Sequence, residues 1–217
     1  MELKRRKSGE GMRSTAGGAM NNTLAAFLDE LAMFGAANDA RTSEQGKRML
    51  NITPDTGPFL ALLVRATKAK SVLEIGTSNG YSTIWLADAA RDAGGQVITV
   101  ERSAEKLAMA RSNFARAECE ATISIVHDDA GHLLARSGDG VYEFIFLDSD
   151  RARYVEWLPQ LNRVLARGGL IVVDNATSHA SELEAFVASV KRVEGFSTSL
   201  VPLGNGELLI HKAAARK

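Results

Sequence analysis

Glu74, Gly76, Gly80 and Ser82 lie in one stretch, Ser71 to Thr83, in which a short apolar run stops at a glycine-bounded loop and a helix follows. The two glycines let the backbone pass close to a ligand. Free N–H groups at the start of the helix offer donors to an anion. Glu74 puts a carboxylate at the C-terminal edge of the strand, where it would repel a pyrophosphate but suits a ligand carrying a positive amino group. The G-x-G-x-x-G spacing of dinucleotide folds is missing, because position 78 is Ser and position 81 is Tyr. This pattern favours S-adenosylmethionine over a nicotinamide cofactor.

Other oxygen-bearing side chains follow later apolar runs. Glu101 comes directly after the next strand candidate, where two carboxylate oxygens can accept from both hydroxyls of a ribose. After the third, Asp128, Asp129 and Ala130 can supply a side-chain acceptor for an adenine amino group and a backbone N–H for a ring nitrogen. Asp148 and Asp150 end the fourth, and Asp174 and Asn175 end the fifth. Asp148, Asp174 and Asn175 are three hard oxygen donors on adjacent strand ends, a set that suits Mg²⁺ or another divalent cation. Each has a plainer role open to it. Asp129 and Asp150 can cap the helices that follow them, and Asp-Asn after a strand is ordinary turn chemistry.

The elements that must place these residues alternate along the chain. Thr23–Phe34 has helical apolar spacing, and Thr53-Pro54 reads as an N-cap and first position of a helix reaching about Ala69. Strands are expected at Ser71–Ile75, Gln96–Val100, Thr122–Val126, Glu143–Leu147 and Gly169–Val173, with helices at Tyr81–Asp92, Ser103–Ala117, Gly131–Arg136 and Arg151–Leu165. Ser181 and Glu184 read as a capping box opening a further helix. Ser197–Val201 and Glu207–His211 flank a turn segment, which predicts an antiparallel hairpin. The fold class is α/β: a Rossmann-like, seven-stranded, mostly parallel sheet with helices on both faces.

Composition narrows the classes further. The chain has 217 residues, 45% hydrophobic, with 26 basic against 26 acidic side chains, so no net field draws it to nucleic acid. A single cysteine, Cys119, excludes a disulfide framework and points to a reducing, cytoplasmic compartment. No apolar run approaches the ~20 residues that cross a bilayer. Residues 1–22, with the basic run Lys4 to Lys7 and then many Gly and Ser, read as a disordered tail or an over-extended start, with Met12 and Met20 as alternative starts. Residues 23–217 form one domain.

Taken together, Met49–Ile52, Val72–Ser82, Ile98–Glu101, Phe146–Asp150 with Tyr154, Gly168–Asn175 and Gly204–Gly206 resemble the class I S-adenosylmethionine-dependent O-methyltransferases of the catechol and caffeoyl-coenzyme A type. The resemblance implies that Ile52, Glu74, Gly76, Thr77, Ser82, Glu101, Ala130 and Asp150 surround the cofactor. It implies that Asp148, Asp174 and Asn175 bind a metal that grips the acceptor, and it suggests a homodimer. The chain departs from the family pattern at Arg151, where a lysine usually serves as base. A guanidinium stays protonated, so Arg151 can steady an anion but not accept the proton. His179 is then a candidate base. After Asn175 the chain also lacks the longer insertion usual in relatives, which implies a more open acceptor pocket.

The resulting expectation is a cytoplasmic methyltransferase acting on a small hydroxylated, aromatic acceptor. Its alternatives are methylation of a hydroxylated tRNA base and a non-catalytic cofactor-binding protein.

Overall fold

Apolar side chains alternate to both faces of the central strands, so the sheet has to be covered twice. In the computed structural model, which describes residues 20–214, helices do this on each side. The order is α1 (Asn22–Arg41), α2 (Thr56–Thr67), β1 (Ser71–Ile75), α3 (Tyr81–Asp92), β2 (Gln96–Glu101), α4 (Ala104–Arg116), β3 (Ile123–His127), α5 (Ala130–Arg136), β4 (Tyr142–Leu147), a 3-10 turn (Arg151–Arg153), α6 (Tyr154–Val164), β5 (Leu165–Val173), α7 (Ala180–Val190), β6 (Phe196–Val201) and β7 (Glu207–Lys212). Val72, Phe144, Phe146 and Val172 join Leu28, Leu60 and Ile84 in one buried cluster. Leu73, Ile145, Leu147 and Val173 meet Leu134, Trp157, Leu161 and Phe186 in the other.

The seven strands lie in the order β3-β2-β1-β4-β5-β7-β6. The first five are parallel, and β7 runs antiparallel to both β5 and β6. Strand order therefore reverses direction between β1 and β4, and the crevice at that point opens at the strands' C-terminal ends.

Three local expectations are corrected. Asn21 caps α1 by accepting from the Leu24 N–H at 2.7 Å, so helix begins inside the stretch read as a tail; the basic run Lys4 to Lys7 and Met12 lie outside the described residues. Helix α2 begins at Thr56 rather than after Thr53, because the Thr53 hydroxyl pairs with Thr56 Oγ1 at 3.0 Å instead of capping an N–H. Helix α7 begins at Ala180 with His179 at its N-cap, not through a Ser181–Glu184 box. The Asn175 carbonyl accepts from the His179 N–H and starts the turn early.

Candidate functional site

The sheet ladder continues to the last residue of each central strand. The Gly76 N–H donates to the Val100 carbonyl (3.1 Å), Asp148 N–H to Ile75 (3.0 Å) and Asp174 N–H to Leu147 (3.1 Å), so these residues share one level at the crevice. Gly76 has φ +110°, and a Cβ there would run into the Asp148 carbonyl oxygen. Gly80, at φ +87°, has no room for a Cβ against the Phe114 ring. Both glycines are thus demanded by the chain's own packing, of the β1 loop against the β4 loop at Gly76 and against α4 at Gly80.

Beneath that loop Glu74 is fully buried and saturated. Its oxygens accept from Ser82 Oγ (2.6 Å), Thr99 Oγ1 (2.6 Å) and Thr83 Oγ1, tying β1, α3 and β2 together. Burial raises its pKa from 4.5 to about 7, against the pull of the three hydroxyls. Thr77, also buried, pairs its hydroxyl with Thr99 at 2.6 Å. Glu101 accepts from the Ser78 N–H (3.1 Å) through one oxygen and from the Arg102 and Ser103 N–H groups (both 2.9 Å) through the other. Ile52 is buried in a segment pinned from two sides: Asp39 accepts from the Met49 and Leu50 N–H groups, and Ser78 Oγ donates to the Met49 carbonyl.

The adenine-side candidates sit on helix starts. Asp129 accepts from the Gly131 N–H at 2.8 Å and caps α5, whose first residue, Ala130, is buried. Asp150 is exposed and accepts from the Ala152 N–H at 3.3 Å. Asp128 turns outward to Arg136 (2.5 Å) and His132 (3.0 Å), whose hydrogen bonds hold its pKa down at about 2. A cleft of about 500 Å³ lies between α5 and α6, with Asp129, Gly131, Arg153 and Trp157 in its wall.

Across the crevice the polar groups are not saturated. Asp174 is 3% exposed; Asn175, held at φ +64°, donates its amide to Asp174 Oδ2 at 2.5 Å, while Asp174 Oδ1 is buried and meets no N–H or hydroxyl of the chain. Burial raises its pKa. Asp148 is raised well above the usual carboxylate range by burial, then by the charges of Asp174 and Glu74. Glu207, wholly buried at the start of β7, accepts from Thr56 Oγ1 at 2.9 Å, while no N–H or hydroxyl reaches Oε2. Burial, the Asp174 charge and a hydrogen bond to the Asp174 carboxyl push its pKa up to about 9, so the two carboxyls share a proton near neutral pH.

Positive charge reaches this row from Arg151, from Lys106 on α4 and from His179. Arg151 opposes the charges of Asp148 and Asp174, but its Nε donates to Glu182 Oε2 on α7 at 2.8 Å. His179 Nδ1 lies 2.9 Å from Ser178 Oγ. The site therefore brings together the glycine loop, Glu101, Asp148, Asp174 and Asn175, with Arg151 and His179 beside the acids.

A sequence model described as O-methyltransferase matches residues 25–212. This chain belongs to that O-methyltransferase family. It is 34% identical over 176 residues to a catechol O-methyltransferase of Niastella koreensis, covering 76% of this chain and 79% of that protein. A catechol O-methyltransferase of Mycobacterium tuberculosis is 35% identical over 158 residues, covering 72% and 69%. The crystal structure of a putative O-methyltransferase from Klebsiella pneumoniae matches with a TM-score of 0.74 at 27% identity, over 90% of this chain and 92% of that one.

This O-methyltransferase is S-adenosylmethionine-dependent. Its acidic strand ends fit a hard divalent cation on two grounds: the donors are all oxygen, and buried Asp174 Oδ1 meets no N–H or hydroxyl of the chain. Among the described residues no three His, Cys, Asp or Glu side chains stand ready around one point, and the third donor of the expected set is the Asn175 amide. Sequence reading passed over Asp39, Thr56, Glu182 and Glu207. A signal existed for Glu207, a charge directly before the apolar run Leu208 to Ile210 of a strand expected to be buried.

Proposed function

We propose that this O-methyltransferase moves the methyl group of S-adenosylmethionine to one hydroxyl of a small aromatic acceptor with adjacent hydroxyls, assisted by a divalent cation held by Asp148, Asp174 and Asn175. The observation behind this reading is the buried Asp174 carboxylate at the crevice, one strand away from Asp148, with an oxygen that meets no N–H or hydroxyl of the chain. A bound cation supplies a Lewis acid that lowers the pKa of a coordinated hydroxyl and fixes its oxygen.

The chain's own residues do the remainder. Glu101 takes the ribose hydroxyls, Ile52, Gly76, Thr77, Gly80 and Ser82 shape the cofactor seat above the Glu74 anchor, and Asp129, Ala130 and Asp150 border the adenine. The acceptor oxygen then displaces the sulfonium in line: a C–O bond forms, the C–S bond breaks and S-adenosylhomocysteine leaves. Positioning is most of the work, because charge is neutralised along the path. Arg151 steadies the acceptor anion, and His179 or water takes the proton.

The test is product formation from S-adenosylmethionine and a catechol panel, with Mg²⁺ and with excess chelator. Turnover that needs Mg²⁺ is expected. Full activity in chelator removes the metal, and no product from any vicinal diol removes the acceptor class. The same reading makes the protein a cytoplasmic homodimer, supported by the exposed apolar side chains Met33 and Phe34 on α1 and Leu62 on α2. Light scattering in solution checks the dimer.

A further inference from the structure

Trp157 is packed as a core residue, but its one polar atom is left alone. It lies on the first turn of α6, 5% exposed, with its ring against Tyr154 (centroids 5.9 Å apart) and beneath the Arg153 guanidinium (5.2 Å). Its Nε1 is buried and has no hydrogen-bond partner. A phenylalanine would fill the same space without burying a bare N–H, so packing by itself does not account for an indole here.

The N–H meets a gap in the chain. A Cβ built on Gly131 would stand 3.0 Å from Asp129 Oδ1, 3.1 Å from Trp157 Nε1 and 3.7 Å from Arg153 Nη2, so the space this glycine leaves is ringed by one acceptor and two donors. All four residues line the cleft of about 500 Å³ between α5 and α6. Arg153 is engaged already, donating to Glu156 from Nε (2.8 Å) and Nη2 (3.3 Å) and lying 3.6 Å from Asp129 Oδ2. Asp129 Oδ1 accepts from the Gly131 N–H at 2.8 Å and keeps a second lone pair. The corner therefore offers a free donor beside a free acceptor site.

Strand register indicates what reaches it. Glu101 pairs with His127 on β3, which puts Asp129 one strand over and two residues beyond the ribose acid, on the path of a base attached to that ribose. Adenine carries an amino donor flanked by two ring-nitrogen acceptors, N1 and N7. That edge complements an acceptor next to a donor.

We propose that Trp157 is a specificity-determining residue of the cofactor seat, its indole N–H donating to a ring nitrogen beside the adenine amino group while Asp129 accepts from the amino group itself. The proposal rests on the cofactor placement given above, in which Asp129 borders the adenine. Gly131 keeps the corner open, because a side chain there would fill it. A hypoxanthine base is rejected, since it turns a carbonyl oxygen toward the Asp129 carboxylate.

Calorimetric titration of S-adenosylhomocysteine, its inosine analogue and its 1-deaza and 7-deaza analogues into wild type and Trp157→Phe tests it. Wild type should bind the inosine analogue roughly 10–100-fold more weakly than S-adenosylhomocysteine, and Trp157→Phe should bind S-adenosylhomocysteine roughly 3–10-fold more weakly than wild type does. The Trp157→Phe penalty should vanish for the deaza analogue that lacks the indole's acceptor. Equal S-adenosylhomocysteine affinity in Trp157→Phe, or a penalty that persists with both deaza analogues, overturns the Trp157 assignment and leaves the adenine at Asp129. Wild type that binds the inosine analogue as tightly as S-adenosylhomocysteine takes the adenine away from Asp129 and overturns both. If Trp157→Phe melts well below wild type, the two indole N–H resonances of the wild-type chain decide. One should move downfield on saturation with S-adenosylhomocysteine and stay in place with one deaza analogue; if neither moves, the assignment falls.

Discussion

The two halves of the crevice treat buried carboxylates in opposite ways. On the β1 side Glu74 is enclosed by the hydroxyls of Ser82, Thr83 and Thr99, and Glu101 by three backbone N–H groups. On the β5 and β7 side Asp174 and Glu207 each bury an oxygen that no N–H, hydroxyl or arginine reaches, and the two carboxyls meet each other through a shared proton. A buried anion whose partners come from the protein serves to hold the fold. One without partners has its partner still to come, from a cation, a proton or a ligand. The cofactor half is therefore preorganised by the chain, and the acidic half is organised for something that binds.

The largest effect should come from the unsaturated half. Asp174→Ala should lower turnover on a catechol acceptor by roughly 10²–10³-fold, the scale of losing one fixed electrostatic contact to developing charge, with S-adenosylhomocysteine affinity kept. Parallel loss of cofactor binding in calorimetry would erase the contrast between the halves.

Next is a stability effect in the saturated half. The folded-state pKa of Glu74, about 7, lies above its ordinary 4.5, so the unfolded chain gives up this proton first as pH rises. Its contribution to stability should fall between about pH 4.5 and 7, by on the order of 3 kcal/mol, and level off above. Urea denaturation of Glu74→Gln should lack that part of the slope. An identical pH profile in wild type and variant would show that the three hydroxyls fully offset burial.

A smaller loss is expected at Glu101. Glu101→Ala should weaken S-adenosylhomocysteine binding by roughly 1–3 kcal/mol, both by removing the ribose acceptor and by releasing the Ser78 N–H. Unchanged affinity would take Glu101 out of the cofactor seat. The smallest effect belongs to Glu182→Ala. The Arg151–Glu182 pair is half exposed on the Glu182 side, so its loss should cost about 0.2–1 kcal/mol in urea denaturation. A much larger cost would make that pair a structural strut of the acidic half.

Local pattern was enough to locate the helix after Gly80, the order of acids at strand ends and the strands, except that β5 begins at Leu165, inside the helix expected to reach that residue, and not at Gly169. Period-2 and period-3.6 apolar spacing is written in neighbouring residues. Strand β1 and helix α3 fall where that spacing places them. Helix starts were less legible, because Asn21 caps α1 through the Leu24 N–H, the Thr53 hydroxyl pairs with Thr56 Oγ1 and the Asn175 carbonyl takes the His179 N–H, choices among competing local hydrogen bonds that apolar spacing does not report. The cofactor class, the parallel sheet and the terminal hairpin thus followed from sequence by itself. Tertiary structure alone decided that Glu74 is met by hydroxyls from α3 and β2, that Arg151 is tied to α7, and that Glu207 stands beside Asp174. Those pairings depend on strand register and on which helix covers which face, and both are set by long-range packing of the whole sheet.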